Sequence, residues 1–437
     1  MTKSPFTILC LLCPLALAQT SPFGGPNLLS RGTGTTGQRS GKDVDLKYFV
    51  NASGIRDTGL TPYSVGSDGQ LVRLGALTGV EMGAGAYGRH NFRRSALGLD
   101  YYGNFRHYPG ASNFDGTNQG LTLEYTYQKS RRMLFDMSLG AGTQSFGTTI
   151  GLIAGADTVL DSSSLLFDNR TSYLQTTMTM RYALSNRTSI SMGGNEYSVH
   201  RQSSALVGVR GYALQGSISH ALSRTTVIGA AYQHMHYDFP RAFGETDINA
   251  YQGSFSQDFG RWWTLGLSAG VFAAQVQGVE NTALDPTIAQ LLGISTIRTI
   301  FYKENLMPIG NVSLSRHFRR AELNGTYNRA ITPGNGVYLT SRQESYGASY
   351  SYTGIRRLSL SVTAVNSNLE SLGQTLQTYN QRFGSVNFNY NIGAGFNIAG
   401  TYSRRFQDFQ TSAFPRDSSR TSFSIYFSPG TIPVSLH

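Results

Sequence analysis

From Val44 to Ser428 the dominant signal is an alternation of apolar and polar residues with period two, the mark of strands whose two faces meet different surroundings. In 121–128, Leu121, Leu123, Tyr125 and Tyr127 share one face, and Thr122, Glu124, Thr126 and Gln128 share the other. In 133–142, Met133, Phe135, Met137, Leu139 and Ala141 oppose Leu134, Asp136, Ser138, Gly140 and Gly142. The rule holds again in 174–184, where Leu174, Met178, Met180 and Tyr182 oppose Gln175, Thr177, Thr179 and Arg181. It also holds in 358–364, where Leu358, Leu360, Val362 and Ala364 oppose Ser359, Ser361 and Thr363. Eighteen such segments fit between 44 and 428, with sixteen as the alternative because a long Gly-rich stretch joins the first pair.

Arginines punctuate the pattern in tight turns: Arg93, Arg94, Arg131, Arg132, Arg187, Arg224, Arg261, Arg319, Arg320, Arg356 and Arg357. The last arginine of each turn recurs at intervals of 38 residues (94 to 132) or 37 residues (187 to 224, 224 to 261 and 320 to 357). Gly393-Ala394-Gly395 continues the series. Two longer intervals, 132 to 187 and 261 to 320, each hold one irregular insertion, at 147–170 and at 278–304. The unit is two strands plus a loop, with short turns on one side and variable loops on the other. A propeller also repeats about every 40 residues, but its blades use four short strands per repeat.

After residue 18 no stretch approaches the roughly 18 to 20 consecutive apolar residues of a spanning helix. The composition is 14% charged, with 50 Gly, 25 Tyr and 24 Phe, rich in strand formers and in residues that favour membrane interfaces. Residues 1–18 read as an export signal, with Lys3, an apolar run from Phe6 and the small residues of Ala16-Leu17-Ala18. Both cysteines, Cys10 and Cys13, lie inside it. The expected organisation is a signal peptide at 1–18, a flexible tail at 19–43, a barrel at 44–428 and a short extension at 429–437. The formal charge of +11 is matched by the eleven turn arginines, which places the excess at one end of a barrel. There it would face anionic lipid head groups or the polymer beneath the membrane rather than nucleic acid.

Short turns, longer loops and strands of about ten residues with one lipid-facing row characterise outer-membrane barrels. Over nearly its whole length after residue 18 the chain resembles that superfamily, without a motif for one member. The last strand, with Phe423, Ile425 and Phe427 on one face, resembles the family's terminal assembly signal, although ten residues follow Phe427. The resemblance implies an all-β fold: a single antiparallel transmembrane β-barrel with short periplasmic turns and longer extracellular loops. It also implies outer-membrane lipids and the export and barrel-assembly machinery as partners, and an outer-membrane location in a diderm bacterium. A porin-like channel for passive diffusion of small polar solutes follows as the expected function. The alternatives are a structural or surface-adhesion barrel without an open pore, and a secreted soluble all-β binding protein. An energy-coupled receptor would carry a large plug domain before a 22-stranded barrel, and too few residues precede the first strand.

If apolar rows meet lipid, the lumen receives Glu81, Asp100, Arg106, Glu124, Asp136 and Arg181. The periplasmic turns then carry Arg94, Arg132, Arg187, Arg224, Arg261, Arg320 and Arg357. By count 147–170 is the third outer loop, the one that in general porins bends inward, and that resemblance is positional only. Its apolar content and its acidic Asp157, Asp161 and Asp168 suit a constriction. The competing narrowing is 278–304, where Asp285-Pro286 followed by Ile288, Leu291 and Leu292 reads as a capped short helix. Gly83-Ala84-Gly85-Ala86-Tyr87-Gly88 spells GxGxxG but lies within a strand, where small residues leave room inside a barrel. His234, His236 and Asp238 alternate on one strand, a weak metal pattern better read as a polar rim. His220, beside the Arg224 turn, is at the wrong end for a membrane phospholipase. With no GK[ST] in the chain, no cofactor, no metal and no enzymatic activity is expected.

Overall fold

The computed structural model describes residues 43–59, 64–65, 71–72, 75–145, 170–204, 206–283, 290, 296–334, 336, 339–373, 378–409, 416–428 and 432–435. The first strands are β1 (Asp43–Thr58), β2 (Leu77–Asn91), β3 (Ser95–His107), β4 (Gly116–Ser130), β5 (Met133–Gln144) and β6 (Thr171–Ala183). Then come β7 (Thr188–Arg201), β8 (Val209–Ala221), β9 (Thr226–Phe239), β10 (Gly244–Phe259), β11 (Trp263–Ala283) and β12 (Thr296–His317). The series ends with β13 (Ala321–Thr332), β14 (Ser341–Ile355), β15 (Leu358–Ser371), β16 (Tyr379–Gly393), β17 (Phe396–Phe409) and β18 (Arg416–Phe427). Each strand pairs antiparallel with its sequence neighbours, and β1 closes the ring by pairing with both β2 and β18. The result is an 18-stranded closed barrel, the larger of the two strand counts. Ser53 sits in register with Glu81 on one side and Ser424 on the other.

Side-chain alternation sorts the strands into an outward and an inward row. The outward row is apolar and exposed, with Val80, Met82, Leu97, Leu99, Leu174, Met178, Leu214, Ile218, Val362 and Val386. Aromatic residues flank this band at both ends, as interfacial girdles do. Tyr212 and Tyr346 stand toward the loops, and Phe92, Trp262, Phe318 and Phe396 toward the turns. The eight short turns all lie at the end where β1 begins and β18 finishes. The turns are tied into the ladder through their last residues: the carbonyls of Arg94, Arg132, Arg187, Arg320 and Arg357 accept the amides of Gln128, Ala183, Ala221, Thr353 and Asn391. All eleven turn arginines therefore share one end.

Three segments carry strands that the expected layout did not include. The first is 278–304, which is not an irregular insertion. Pairing of β11 with β12 runs on to Ala283↔Thr296, so the stretch is a tall hairpin, and 284–289 and 291–295 with the expected short helix lie outside the described residues. Its flanks stop earlier, with β10 pairing β11 up to Gln277 and β13 pairing β12 up to Gly310. The second is the Gly-rich stretch after β1, which carries a small hairpin of Ser64–Val65 against Leu71–Val72. The third is the end of the chain, where Ile432–Ser435 pairs with Asp43–Leu46 beyond the end of β18. Residues 1–42 and 146–169 lie outside the described residues.

The glycine motif on β2 has a packing role. A Cβ at Gly85 would meet Phe49 Cζ at 2.5 Å and the Tyr101 carbonyl oxygen at 2.6 Å. Phe49 crosses the inner wall here and stacks on Tyr102 at 6.0 Å. Two outcomes are expected. The protein should give a sheet-type circular-dichroism spectrum and run differently on a denaturing gel before and after boiling. Gly85→Val should lower the temperature of that gel conversion by the equivalent of ~1–3 kcal/mol of overpacking, whereas Gly216→Ala, with no atom within 4 Å of its Cβ position, should not.

Candidate functional site

The inner wall has two dissimilar halves. On β18, β1, β2 and β3 the inward row is ionic. Arg420 donates to Glu81 at 2.7 Å and its Nε lies 4.0 Å from Asp57, which stands opposite it in register. Asn104 donates to the other oxygen of Glu81 at 2.8 Å. The Tyr108 hydroxyl donates to Asp57, and the Arg106 guanidinium lies 5.5 Å from the Tyr108 ring centre. Asp57 and Arg106 retain only 5% and 2% of their exposure. Carboxylates so withdrawn from water need their cationic partners, since an uncompensated buried charge costs several kcal/mol.

Above this network the loop 108–115 folds back on itself. Asp115 accepts the Tyr108 amide at 2.7 Å and bonds His107 Nδ1 at 2.7 Å. The backbone amide first, and the His107 ring second, hold the Asp115 carboxyl below its usual range. Burial pushes the Tyr108 phenol above its ordinary value, so at neutral pH it stays a hydrogen-bond donor to Asp57.

The six lumen candidates all fall on inward rows of the alternation, but the network gathers only Glu81 and Arg106. Asp100 stands opposite Thr122, and Glu124, which is buried, opposite Ser138. Asp136 accepts Thr126 Oγ1 at 3.0 Å, and Arg181 stands opposite Leu134. They form a descending series toward the turn end rather than one cluster. Sequence reasoning missed Asp57, Tyr108 and Arg420. A signal existed in the period-two polar rows Asn51, Ser53, Asp57 and Ser418, Arg420, Ser422, Ser424, but Ile55 interrupts the first row and Arg56 sits outside it.

The opposite half departs from the expectation that apolar rows meet lipid. β1 faces β10 across an 18-membered ring, and on β7 to β11 the inward row toward the loops is apolar. Tyr197, Val199, Val209, Ala213, Met235, Tyr237, Phe239, Ile248, Ala250, Phe272, Ala274 and Val276 are all buried in one cluster. They are buried because short loops turn inward and cover them. Leu206 is fully buried, and Leu372 and Leu339 pack on the cluster. Thr340 bonds Thr246 at 2.6 Å, the Val207 amide donates to the Gly336 carbonyl at 2.9 Å, and Lys303 donates to the Gly373 carbonyl at 3.2 Å. Arg241 donates to the carbonyls of Arg201 and Ser203, joining loop 240–243 to loop 202–208.

Asp157, Asp161 and Asp168 lie outside the described residues; the described parts of the covering loops are 202–204, 206–208, 333–334, 336, 339–340 and 372–373. Arg94, Arg132, Arg187, Arg224, Arg261, Arg320 and Arg357 stand in the turns. His234, His236 and Asp238 point outward, and the register gives His236 different partners from those the spacing suggested. His236 Nδ1 is 2.9 Å from Asp247 and 3.8 Å from Glu245 across the β9–β10 pair. Their ligand atoms lie within 4.8 Å of one another, close enough to hold a metal ion, yet on the outer rim and away from the lumen. His220 bonds Thr188 at the turn end.

A closed antiparallel barrel with an apolar outer band and charged groups on its inner wall has the architecture with which strands cross a membrane. No protein-family model and no curated protein matches the chain. Among solved structures it is similar to Pseudomonas aeruginosa OpdQ, at 9% identity and a TM-score of 0.43, covering 90% of this chain and 98% of that one. It is similar to P. aeruginosa OccK9 (OpdG) at 14% identity and a TM-score of 0.44, covering 89% and 99%. It is similar also to the E. coli K12 ferric-catecholate import receptor Fiu at 8% identity and a TM-score of 0.44, covering 90% and 82%.

Removing Arg420 takes away the guanidinium that lies 2.7 Å from Glu81 and 4.0 Å from Asp57. Arg420→Ala should destabilise the barrel by roughly 3–5 kcal/mol at most, less where lumen water reaches the side chain, which is 23% exposed. In denaturant titrations of micelle-held protein, Glu81→Gln combined with Arg420→Ala should recover part of that loss. Strict additivity of the two would show that they do not interact.

Proposed function

We propose that the chain is a porin-like channel through which small polar solutes diffuse passively across an outer membrane. The observation that carries this reading is the division of the inner wall. Inward loops cover the apolar half, which leaves the charged half, from Arg420 through Glu81 and Arg106 down to Glu124 and Asp136, as the polar surface toward the lumen. A barrel of this strand number is wide enough for an aqueous path, and a path beside one wall favours solutes that exchange water for fixed charges. In this reading 1–18 is removed on export, the arginine turns face the periplasm, and Asp157, Asp161 and Asp168 give the narrowing a cation preference. A structural barrel without an open pore is the second reading, favoured by the near-complete burial of Asp57 and Arg106.

Planar-bilayer recording distinguishes the two. The channel reading expects discrete conductance steps, and a folded barrel that gives none belongs to the second. Deleting 150–168 should raise single-channel conductance and weaken cation preference if the third loop narrows the path. If deletion of 334–339 raises it instead, the loop packed on Thr246 is the constriction.

A further inference from the structure

On the outer surface at the turn end, β11 and β12 carry a cation held by aromatic rings. Trp263 and Arg316 stand directly opposite in register, both on outward rows. The Arg316 guanidinium lies 4.8 Å from the Trp263 ring centre and 4.5 Å from that of Phe318, both inside the range of a cation–π contact. The turns on either side are fixed by backbone bonds. The His317 amide donates to the Trp262 carbonyl at 2.8 Å, and the Phe318 amide to the Ala321 carbonyl at 2.7 Å. Among the described residues Arg316 has neither an ion-pair nor a hydrogen-bond partner.

The surroundings define what would bind there. Leu314 and Val312, the next outward residues along β12, are exposed at the lipid band, so Arg316 lies at its edge, at head-group depth. Trp262, Phe259 and Phe318 are half exposed beside it, as interfacial anchors are. Arg261, Arg319 and Arg320 add three cations in the adjoining turns. The nearby acids Asp258 and Glu322 lie on inward rows, Asp258 accepting Thr264 and Glu322 lying 3.6 Å from His317. Among the described residues, then, four guanidiniums meet no outward carboxylate on β10 to β13 over this stretch. A guanidinium pinned over ring faces keeps its planar N–H edge for a two-point bond, and that fork matches a phosphate.

We propose that Arg316, held by Trp263 and Phe318, is a binding site for the phosphate of an anionic phospholipid head group in the turn-side leaflet. The ring contacts set the guanidinium in place, the tryptophans set its depth, and Arg261 and Arg319 raise the local concentration of anionic lipid. The site is independent of whether the lumen conducts.

The chain has two tryptophans, and both are here, so intrinsic fluorescence reports on this site alone. The full chain is reconstituted in vesicles holding equal mole fractions of phosphatidylglycerol and phosphatidylcholine, with bromine on the acyl chains of one or the other as quencher. Wild type should show about fivefold local enrichment of phosphatidylglycerol, the ratio that ~1 kcal/mol per basic side chain at an anionic surface corresponds to. Arg316→Ala should lower that enrichment to about twofold or less, and Arg316→Lys, which keeps the charge but not the fork, should lose most of it. Arg319→Gln should retain most of it, and the heat-dependent gel shift should certify each variant as folded. Equal quenching of wild type by both lipids overturns the proposal, as does an equal loss in Arg319→Gln and Arg316→Ala. If Arg316→Ala instead abolishes retention on isolated peptidoglycan while the quenching ratio stays unchanged, the partner is the wall polymer and the proposal falls.

Discussion

The pairing of β1 with β18 is the interaction on which everything else rests. A bilayer core offers no water to an unpaired amide or carbonyl, and each such group costs several kcal/mol there. Seventeen neighbour pairings would still leave two open edges. The eighteenth, from Val50↔Phe427 to Thr58↔Ser419, removes both. Closure also decides which side chains can be polar. Once the outward row is surrendered to lipid, charges in the spanning part of the strands must stand on the inward row, and Asp57, Glu81, Arg106 and Arg420 meet on that row at the loop ends of their strands.

Much of this architecture was legible because lipid imposes a uniform requirement on one face. Leu121, Leu123 and Tyr125, or Leu358, Leu360 and Val362, read as outward from the pattern and are outward in the barrel. The interval of 37 residues between arginine turns is the length of two spanning strands plus a loop, a membrane dimension written into the chain. The lumen imposes no such uniformity, since an inward position can meet water, a charge or a folded loop. On β9 both rows carry apolar groups, and only the three-dimensional cover of Met235, Tyr237 and Phe239 explains why they point in while His234, His236 and Asp238 point out.

The same reasoning accounts for the site residues that the sequence did not yield. Glu81 and Arg106 are legible because each stands on the polar row beside outward apolar neighbours, Val80 and Met82 for Glu81 and Phe105 for Arg106. Asp57 lies near a strand end where Ile55 breaks the polar row, and Tyr108 sits beyond the end of its strand. Their connection depends on pairing between the first and last strands, a separation of 339 residues for Arg420 and Glu81, and no local pattern carries information across that distance. The covering loops failed for a different reason. The contact that fixes Thr340 against Thr246 on β10 joins residues 94 apart in the chain, which no local pattern reports.

The tall β11–β12 hairpin supplies a ruler for the barrel's vertical position. Beyond Gln277 on one side and Gly310 on the other, the described pairing of this hairpin with its neighbours β10 and β13 stops. Backbone that leaves the sheet ladder is tolerated at membrane depth only where protein or water meets it rather than lipid, so the part of the hairpin beyond those two residues suits a place clear of the hydrocarbon. Among the described residues Tyr302 and Leu306, at 74% and 75% exposure, are the most open large apolar side chains, and both stand on this outer face of the hairpin. A deletion that shortened this hairpin would leave the waterline where it is, whereas one extra pair of residues below Gln277 would tilt it.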